Sequence, residues 1–249
     1  MRLKNVMGKL LFGELKADLA SVGCQVEQRI SEALSLEPVA EFAPLAELRD
    51  LKGEVTGYVK SFTAPKLEKM AFLSIDIMTG MRYFNIHVIP DHHYKLPRYN
   101  FEGMVCNKGS QLSMDLYPDH DIVLDFDFIR DNYAGLVSVY EKAKAHKLIH
   151  PEPSRLPHMR ALCSPYFLLA NKVPPEAAGD MERFALAYLD EWLGLYERAG
   201  KVSDEDAERQ RERRLHIART IIENDPDRDK VVKTYGEETT CAIEKAAML

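Results

Sequence analysis

The residues most able to do chemistry lie in three short runs, Tyr83–Ile89, Asn100–Cys106 and Gln111–Tyr117. Read as strands, these runs send alternate side chains to opposite faces. One face then collects Asn85 and His87, Asn100 and Glu102, and Gln111, Ser113 and Asp115. Such a set is either the wet side of a half-buried sheet or the floor of a polar pocket. Glu102 is the sharpest candidate. A carboxylate among Tyr99, Phe101, Met104 and Val105 is partly desolvated, and its pKa rises toward the range of a useful general acid. Asn85 and His87 share its environment, although a lone strand histidine is more often a hydrogen-bonded structural residue than an acid.

Other polar residues sit near element ends. Asn224-Asp225-Pro226 reads first as a helix start, with Asp225 as N-cap, Pro226 at the first helical position and Asp227 favoured by the helix dipole. Ser203 followed by Asp206 resembles a capping box. Arg160, just before Cys163-Ser164-Pro165, and Arg228, in the first turn of the last helix, are bases that could clamp a carboxylate. His92 and His93 share a Pro-bounded loop without further metal-ligand spacing, so the spacing predicts no metal there. There is no GxGxxG and no GxxxxGK[ST]. A bound nucleotide cofactor therefore has no support, and redox chemistry would need electrons from a separate protein.

The elements that must position these groups follow from periodicity. Residues 7–35 have apolar positions at helical spacing, with Gly23 as the weak point. Strands are predicted at Val55–Phe62, Ala71–Ile77 and Tyr83–Ile89, then in the two later runs. Turn chemistry at Thr79-Gly80 and Asn107-Lys108-Gly109 predicts hairpins and an antiparallel meander. Pro90–Pro97 is a loop, Phe126–Lys147 turns helical, and Ser164–Ala170 supplies another strand. Helices are predicted over Ala177–Ala199, Ser203–Ile222 and Pro226–Ala247. The order helix, strands, helix, strand, helices predicts an α+β fold, with helices packed on an antiparallel sheet. Without a repeat or linker, residues 1–249 read as one domain.

Composition bounds the function. A chain of 249 residues with 46% hydrophobic and 29% charged residues can bury a core without staples. The scattered Cys24, Cys106, Cys163 and Cys241 suit reduced thiols in a cytoplasm better than disulfides or zinc. The N-terminal apolar run is broken by Lys9, Glu14, Lys16 and Asp18, which suits neither a signal peptide nor a membrane span. A net charge of -6 argues against nucleic acid as the main partner. Between Lys60 and Lys108, however, Lys60, Lys66, Lys69, Arg82, Lys95, Arg98 and Lys108 outnumber the acids. This tract could dock something anionic or be a mixed-charge surface.

Several stretches, in their order and spacing, resemble the ferredoxin-dependent bilin reductases. They are Ala64-Pro65 to Met70, Asn85 to Pro90, Tyr94 to Pro97, Asn100 to Gly103, Ser164 to Phe167, Asn224 to Arg228 and Tyr235-Gly236. The resemblance implies an α/β/α sandwich with a central antiparallel sheet and a linear tetrapyrrole held between sheet and C-terminal helices. It implies no bound cofactor, electrons arriving singly from a [2Fe-2S] ferredoxin, and protons supplied by side chains. By position, Glu102 falls where the family has its central acid, an Asp in most members and Glu in the chlorophyll-catabolite branch. Asn85 falls where phycocyanobilin-forming members have a catalytic His and phycoerythrobilin-forming members have Asn. The acid that partners that His falls on Leu73, with Ser74 and Asp76 as the nearest polar substitutes.

Asp225 and Asn224 match the C-terminal pair near the substrate. The expected site is thus Glu102, Asp225, Asn85 and Asn224 for catalysis. Arg160, Arg228, Ser113, Ser164 and His87 are expected to bind substrate, the two arginines as partners for the propionates. The expected reaction is reduction of biliverdin IXα to a phycobilin by a cytoplasmic monomer, with the basic tract steering an acidic ferredoxin. The alternatives are a bilin carrier without turnover, or a reductase of another linear tetrapyrrole.

Overall fold

The computed structural model describes residues 21–249 apart from 79, 107 and 108. Its centre is an eight-stranded antiparallel sheet made of β1 (Glu37–Pro38), β2 (Leu48–Arg49), β3 (Val55–Ala64), β4 (Leu67–Met78), β5 (Met81–Pro90), β6 (Arg98–Cys106), β7 (Ser110–Tyr117) and β8 (Leu168–Val173). The strand order is β1-β3-β4-β5-β6-β7-β8, and β2 also pairs with β3. β3 to β7 form the expected meander, because short connections between consecutive strands permit only antiparallel neighbours. Gly80 and Gly109 adopt φ of 79° and 114° at two of these turns, a region that other residues enter at a cost. The turn residues Thr79, Asn107 and Lys108 lie outside the described residues.

The helices are α1 (Cys24–Ala33), α2 (Phe126–Tyr133), α3 (Leu136–Lys144), α4 (Pro157–Leu162), α5 (Pro175–Arg198), α6 (Asp204–Glu223), α7 (Arg228–Tyr235) and α8 (Glu237–Ala247), with a 3-10 helix at Ala40–Ala46. The one long or two short helices expected over 7–35 fall partly outside the described residues; in the described part the chain turns at Val22 and Gly23 before α1 begins at Cys24. Two other predicted helices are each split at a glycine. Phe126–Lys147 breaks around Gly135, and Pro226–Ala247 breaks at Gly236, whose φ of 81° no helix accommodates. The last strand starts at Leu168 rather than Ser164 and runs to Val173. The 3-10 helix and α4 were not expected. Both contain proline, tolerated in α4 because Pro157 occupies its first turn.

The two faces of the sheet are covered differently. Phe72, Ile86, Tyr99, Phe101, Leu112 and Met114 pack against α1 and α5. There Ile30, Tyr188, Leu189 and Trp192 are fully buried, each contributing about 1.5–3 kcal/mol. The polar tips of the buried aromatics are satisfied, with Trp192 Nε1 donating to the Pro97 carbonyl at 2.8 Å and Tyr99 Oη to that of Ala185 at 3.0 Å. The opposite face is apolar only over β3 and β4, where Val59, Ala71, Leu73 and Ile75 meet the 3-10 helix, Tyr235 of α7, and Ile243, Ala246 and Ala247 of α8. Over β5 to β7 that same face is polar, so apolar packing stops where the candidate residues begin.

A buried ion triad pins α6 to the strand ends. The two oxygens of Asp119 accept from Arg98 Nε and Arg214 Nε, both at 2.8 Å. Arg214 also donates to Glu68 and to the carbonyl of Pro90.

Candidate active site

Register is what assembles the site. Asn85 on β5 pairs with Glu102 on β6, which pairs with Ser113 on β7. One row along, His87 pairs with Asn100, and Asn100 with Asp115. Cross-strand partners share a face, so the seven polar side chains singled out by alternation do lie on one side of the sheet.

Glu102 is the hub of the first row. Ser113 Oγ donates to its Oε1 at 3.0 Å, Tyr83 Oη to Oε2 at 3.0 Å, and Asn85 Nδ2 to Oε2 at 3.4 Å. Asn85 Nδ2 also donates to Asn100 Oδ1 at 2.9 Å, while Asn85 Oδ1 is buried without a partner. Burial pushes the Glu102 pKa up; the three donors oppose this by favouring the carboxylate, and the charge of Asp225 adds to the rise. The result is a half-buried acid. Tyr83 was not anticipated. Burial first, and then the charge of Glu102, push its phenol well above the ordinary value, so it acts as a hydrogen-bond donor throughout the neutral range.

The second row is drier. His87 is buried, and burial together with the neighbouring Arg98 pushes its pKa down to about 3. The ring is therefore neutral. Its Nδ1 lies 3.0 Å from the carbonyl oxygen of Ala247, which can only accept, so Nδ1 carries the proton and Nε2 is left as an acceptor with no partner. Asp115 is fully buried, and its carboxylate accepts from the Ser164 backbone at 2.8 Å and from Ser164 Oγ at 2.5 Å. Burial nevertheless raises its pKa to about 6.

The remaining candidates have other partners. Ser113 and Ser164, expected to bind substrate, donate to Glu102 and Asp115, so they position acids. Asp225 does not cap a helix. α7 starts at Arg228 with Asp227 in the cap position, and Asp225 Oδ1 accepts from Asp227 N at 2.8 Å in the preceding turn. From that turn its charge acts on Tyr83 and Glu102, and desolvation raises its own pKa. Asn224 ends α6, with Nδ2 donating to the Thr220 carbonyl at 2.8 Å. Arg228 pairs with Glu244 at 2.7 Å and Glu237 at 2.6 Å, so its guanidinium ties α7 to α8 rather than awaiting a propionate. Arg160 is exposed at the end of α4, with Nε donating to the Ser154 carbonyl at 2.7 Å.

One further expectation is corrected. Leu73 stands beside Asn85 in the register and packs in the apolar cluster. Ser74 and Asp76, the proposed polar substitutes, cannot replace the missing acid from there. Ser74 points to the other face, alternating with Leu73, and Asp76 is held by Arg82 at 2.9 Å. In the basic tract most of the cations have partners, and only the Arg98 pair is buried. Lys60, Arg82, Lys95 and Arg98 pair with Glu27, Asp76, Asp125 and Asp119. Lys66 and Lys69 donate to carbonyls of Tyr196 and Lys245, while Lys108 lies outside the described residues.

None of the four cysteines is in a disulfide. Among the described residues no helix is long and apolar enough to cross a membrane.

Comparison with known proteins places this geometry in a family. A crystal structure of phytochromobilin synthase from tomato in complex with biliverdin has the same fold, with a TM-score of 0.72 at 18% identity over 94% of this chain and 80% of that one. No individually curated protein matches the sequence. The sequence model of the ferredoxin-dependent bilin reductases matches residues 24–242. The chain therefore belongs to the ferredoxin-dependent bilin reductases, and is an oxidoreductase.

Proposed function

We propose that the chain reduces biliverdin IXα to a phycobilin, either phycocyanobilin or, as Asn85 favours, 15,16-dihydrobiliverdin or phycoerythrobilin. The observation that carries this reading is the Asn85–Glu102–Ser113 row, an acid held by three donors on the polar half of an otherwise apolar sheet face. A carboxylate cannot protonate a bilin, so Glu102 must carry or share a proton when substrate is bound. The bilin lies over the row and removes the remaining water from the acid, which raises its pKa further.

Protonation makes the bilin a better electron acceptor. One reduced ferredoxin then delivers one electron to give a neutral radical; a second electron and a second proton complete the bond. Each reduced double bond thus consumes two electrons from two reduced ferredoxins and two protons. Glu102 supplies the first proton, and Asp225 or a water held by Asn85 supplies the second. Asn224 closes α6 through the Thr220 carbonyl and so sets where the turn that carries Asp225 begins. His87 Nε2 offers an acceptor to the substrate side of the sheet, and Arg160 takes a propionate. The protein works as a monomer in the cytoplasm, with no tightly bound cofactor of its own.

The test is to add biliverdin to the purified protein, record the spectrum, add reduced ferredoxin and separate the products chromatographically. A new product with a reduced ring or bridge bond is expected. Binding without any product overturns the reading, and turnover of only a linear chlorophyll catabolite reassigns the substrate. Arg160→Gln is expected to weaken bilin binding while leaving the rate at saturation unchanged.

A further inference from the structure

The geometry points to a divalent transition-metal site, of the class that takes Zn²⁺, at the loop that follows β5. One ligand atom from each of Asp91, His92 and His93 lies within 4.8 Å of the other two. Asp91 Oδ1 is 2.8 Å from His93 Nδ1 and 3.9 Å from His92 Nδ1. A fourth oxygen comes from another strand, with Glu68 Oε2 on β4 at 3.8 Å from His92 Nδ1. Ligand atoms around a tetrahedral zinc with bonds of about 2.0–2.1 Å stand roughly 3.4 Å apart. The observed spacings bracket that value, and a change in side-chain torsion of either histidine closes the difference.

Two imidazoles with two carboxylates form a donor set suited to Zn²⁺, Co²⁺ or Ni²⁺ rather than to Ca²⁺ or Mg²⁺. Adjacent histidines in sequence have no ligand spacing of their own. The β3–β4 hairpin brings Glu68 to them, and the loop's anchors hold them in place.

Those anchors pre-organise the site. Asp91 N donates to the Lys66 carbonyl at 2.9 Å and Val202 N to the His93 carbonyl at 2.8 Å, while Gln210 Nε2 donates to the His92 carbonyl at 3.2 Å. Arg214 Nη1 holds that same Glu68 Oε2 at 2.9 Å, so Glu68 turns its other oxygen to the metal or yields the fourth position to water. Within the group, His92 Nδ1 is shielded from solvent and has no hydrogen-bond partner, which leaves it an unused ligand atom. The side chains of Asp91, His93 and Glu68 are all partly exposed, so a cation can enter from solvent. Asp91 follows the end of β5, six residues from Asn85 or about 20 Å at strand rise, so the site is separate from the Asn85–Glu102–Ser113 row. A bound metal would fasten the β5–β6 loop to β4.

The test uses the untagged, chelator-treated full chain, titrated with ZnCl₂ in a calorimeter and with Co²⁺ in a spectrophotometer. Saturable one-to-one binding is expected, with the intense visible bands of four-coordinate Co²⁺. His92→Gln and His93→Gln should each weaken Zn²⁺ by at least about tenfold, the scale of disturbing a single element of a metal site. His216→Ala, on the exposed face of α6, should leave it unchanged. Zn²⁺ should raise the melting temperature of the wild type but not that of the folded His92→Gln/His93→Gln double variant. Absence of saturable binding, or equal binding by the double variant, overturns the site.

Discussion

Replacing Glu102 by glutamine separates proton supply from architecture. The amide has nearly the volume of the acid. Its oxygen can keep the hydrogen bonds from Tyr83 Oη, now at 3.0 Å, and from Asn85 Nδ2, now at 3.4 Å. Its nitrogen can donate to Ser113 Oγ, whose hydroxyl turns from donor to acceptor. All three contacts survive, so folding stability should change by less than about 1 kcal/mol. The variant cannot give up a proton. General acid catalysis is worth about 10²- to 10⁴-fold, which is about 3–5 kcal/mol of barrier. The assay is single-turnover reduction of bound biliverdin by excess reduced ferredoxin, with the bilin Kd measured on the same protein by absorbance. Turnover should fall by at least about a hundredfold while the Kd stays within about threefold. If Glu102→Gln keeps more than about a tenth of the wild-type rate, the proton comes from elsewhere and the role of Glu102 is refuted.

Asp115 should make stability depend on pH in the direction opposite to ordinary carboxylates. Its folded pKa of about 6 lies above the ordinary value of 3.8, so the native state binds the extra proton and stability falls as pH rises from about 4 to about 6. Asp115→Asn should remove up to about 3 kcal/mol of that fall, read from urea denaturation at pH 4 and pH 7.5; equal slopes in both proteins would contradict it. His87 carries the reverse sign. Depressed to about 3, it costs stability as pH falls through 6.5 toward 3, and His87→Gln should flatten that limb of the denaturation profile. Asp119→Asn leaves Arg98 and Arg214 buried without their shared carboxylate and should destabilise by about 3–5 kcal/mol in chemical denaturation. In Gly57→Ala the new Cβ would stand 2.2 Å from the Ser74 carbonyl oxygen and 2.8 Å from Ile75 Cα. Backbone must move there, and a loss of about 1–3 kcal/mol in the same assay is expected.

What could be read without coordinates was whatever depends on period. Alternation along β5, β6 and β7 put Asn85, Glu102 and Ser113 on one face before any pairing was known, because a strand has only two faces. It could not reveal which neighbours a side chain meets. Ser164 reaches Asp115 across 49 residues, and Arg228 is claimed by two acids on α8. Neither contact leaves a local pattern. Counting charges between Lys60 and Lys108 likewise could not show which were paired: Arg98 is spent on buried Asp119, while the pairs of Arg82, Lys60 and Lys95 stay partly exposed. Helix continuity was overestimated where apolar spacing ran through Gly236, because periodicity is insensitive to a single residue that leaves the helical region; the break beside Gly135 comes with helical dihedrals at that residue. Asp225 matched the usual helix-start signature, yet the chain spends two more residues turning before α7 begins.

The pairing of Val59 with Leu73, Leu73 with Asn85, Asn85 with Glu102, Glu102 with Ser113 and Ser113 with Leu169 makes the sheet a ruler. Its divisions are one strand apart, about 4.8 Å, and from Leu73 to Leu169 it spans about 19 Å. With Glu102 as the proposed proton donor, moving an acid from one mark to the next should shift the point of protonation by a fixed step. Ser113→Asp combined with Glu102→Gln is then expected to change the regiochemistry without a change of scaffold.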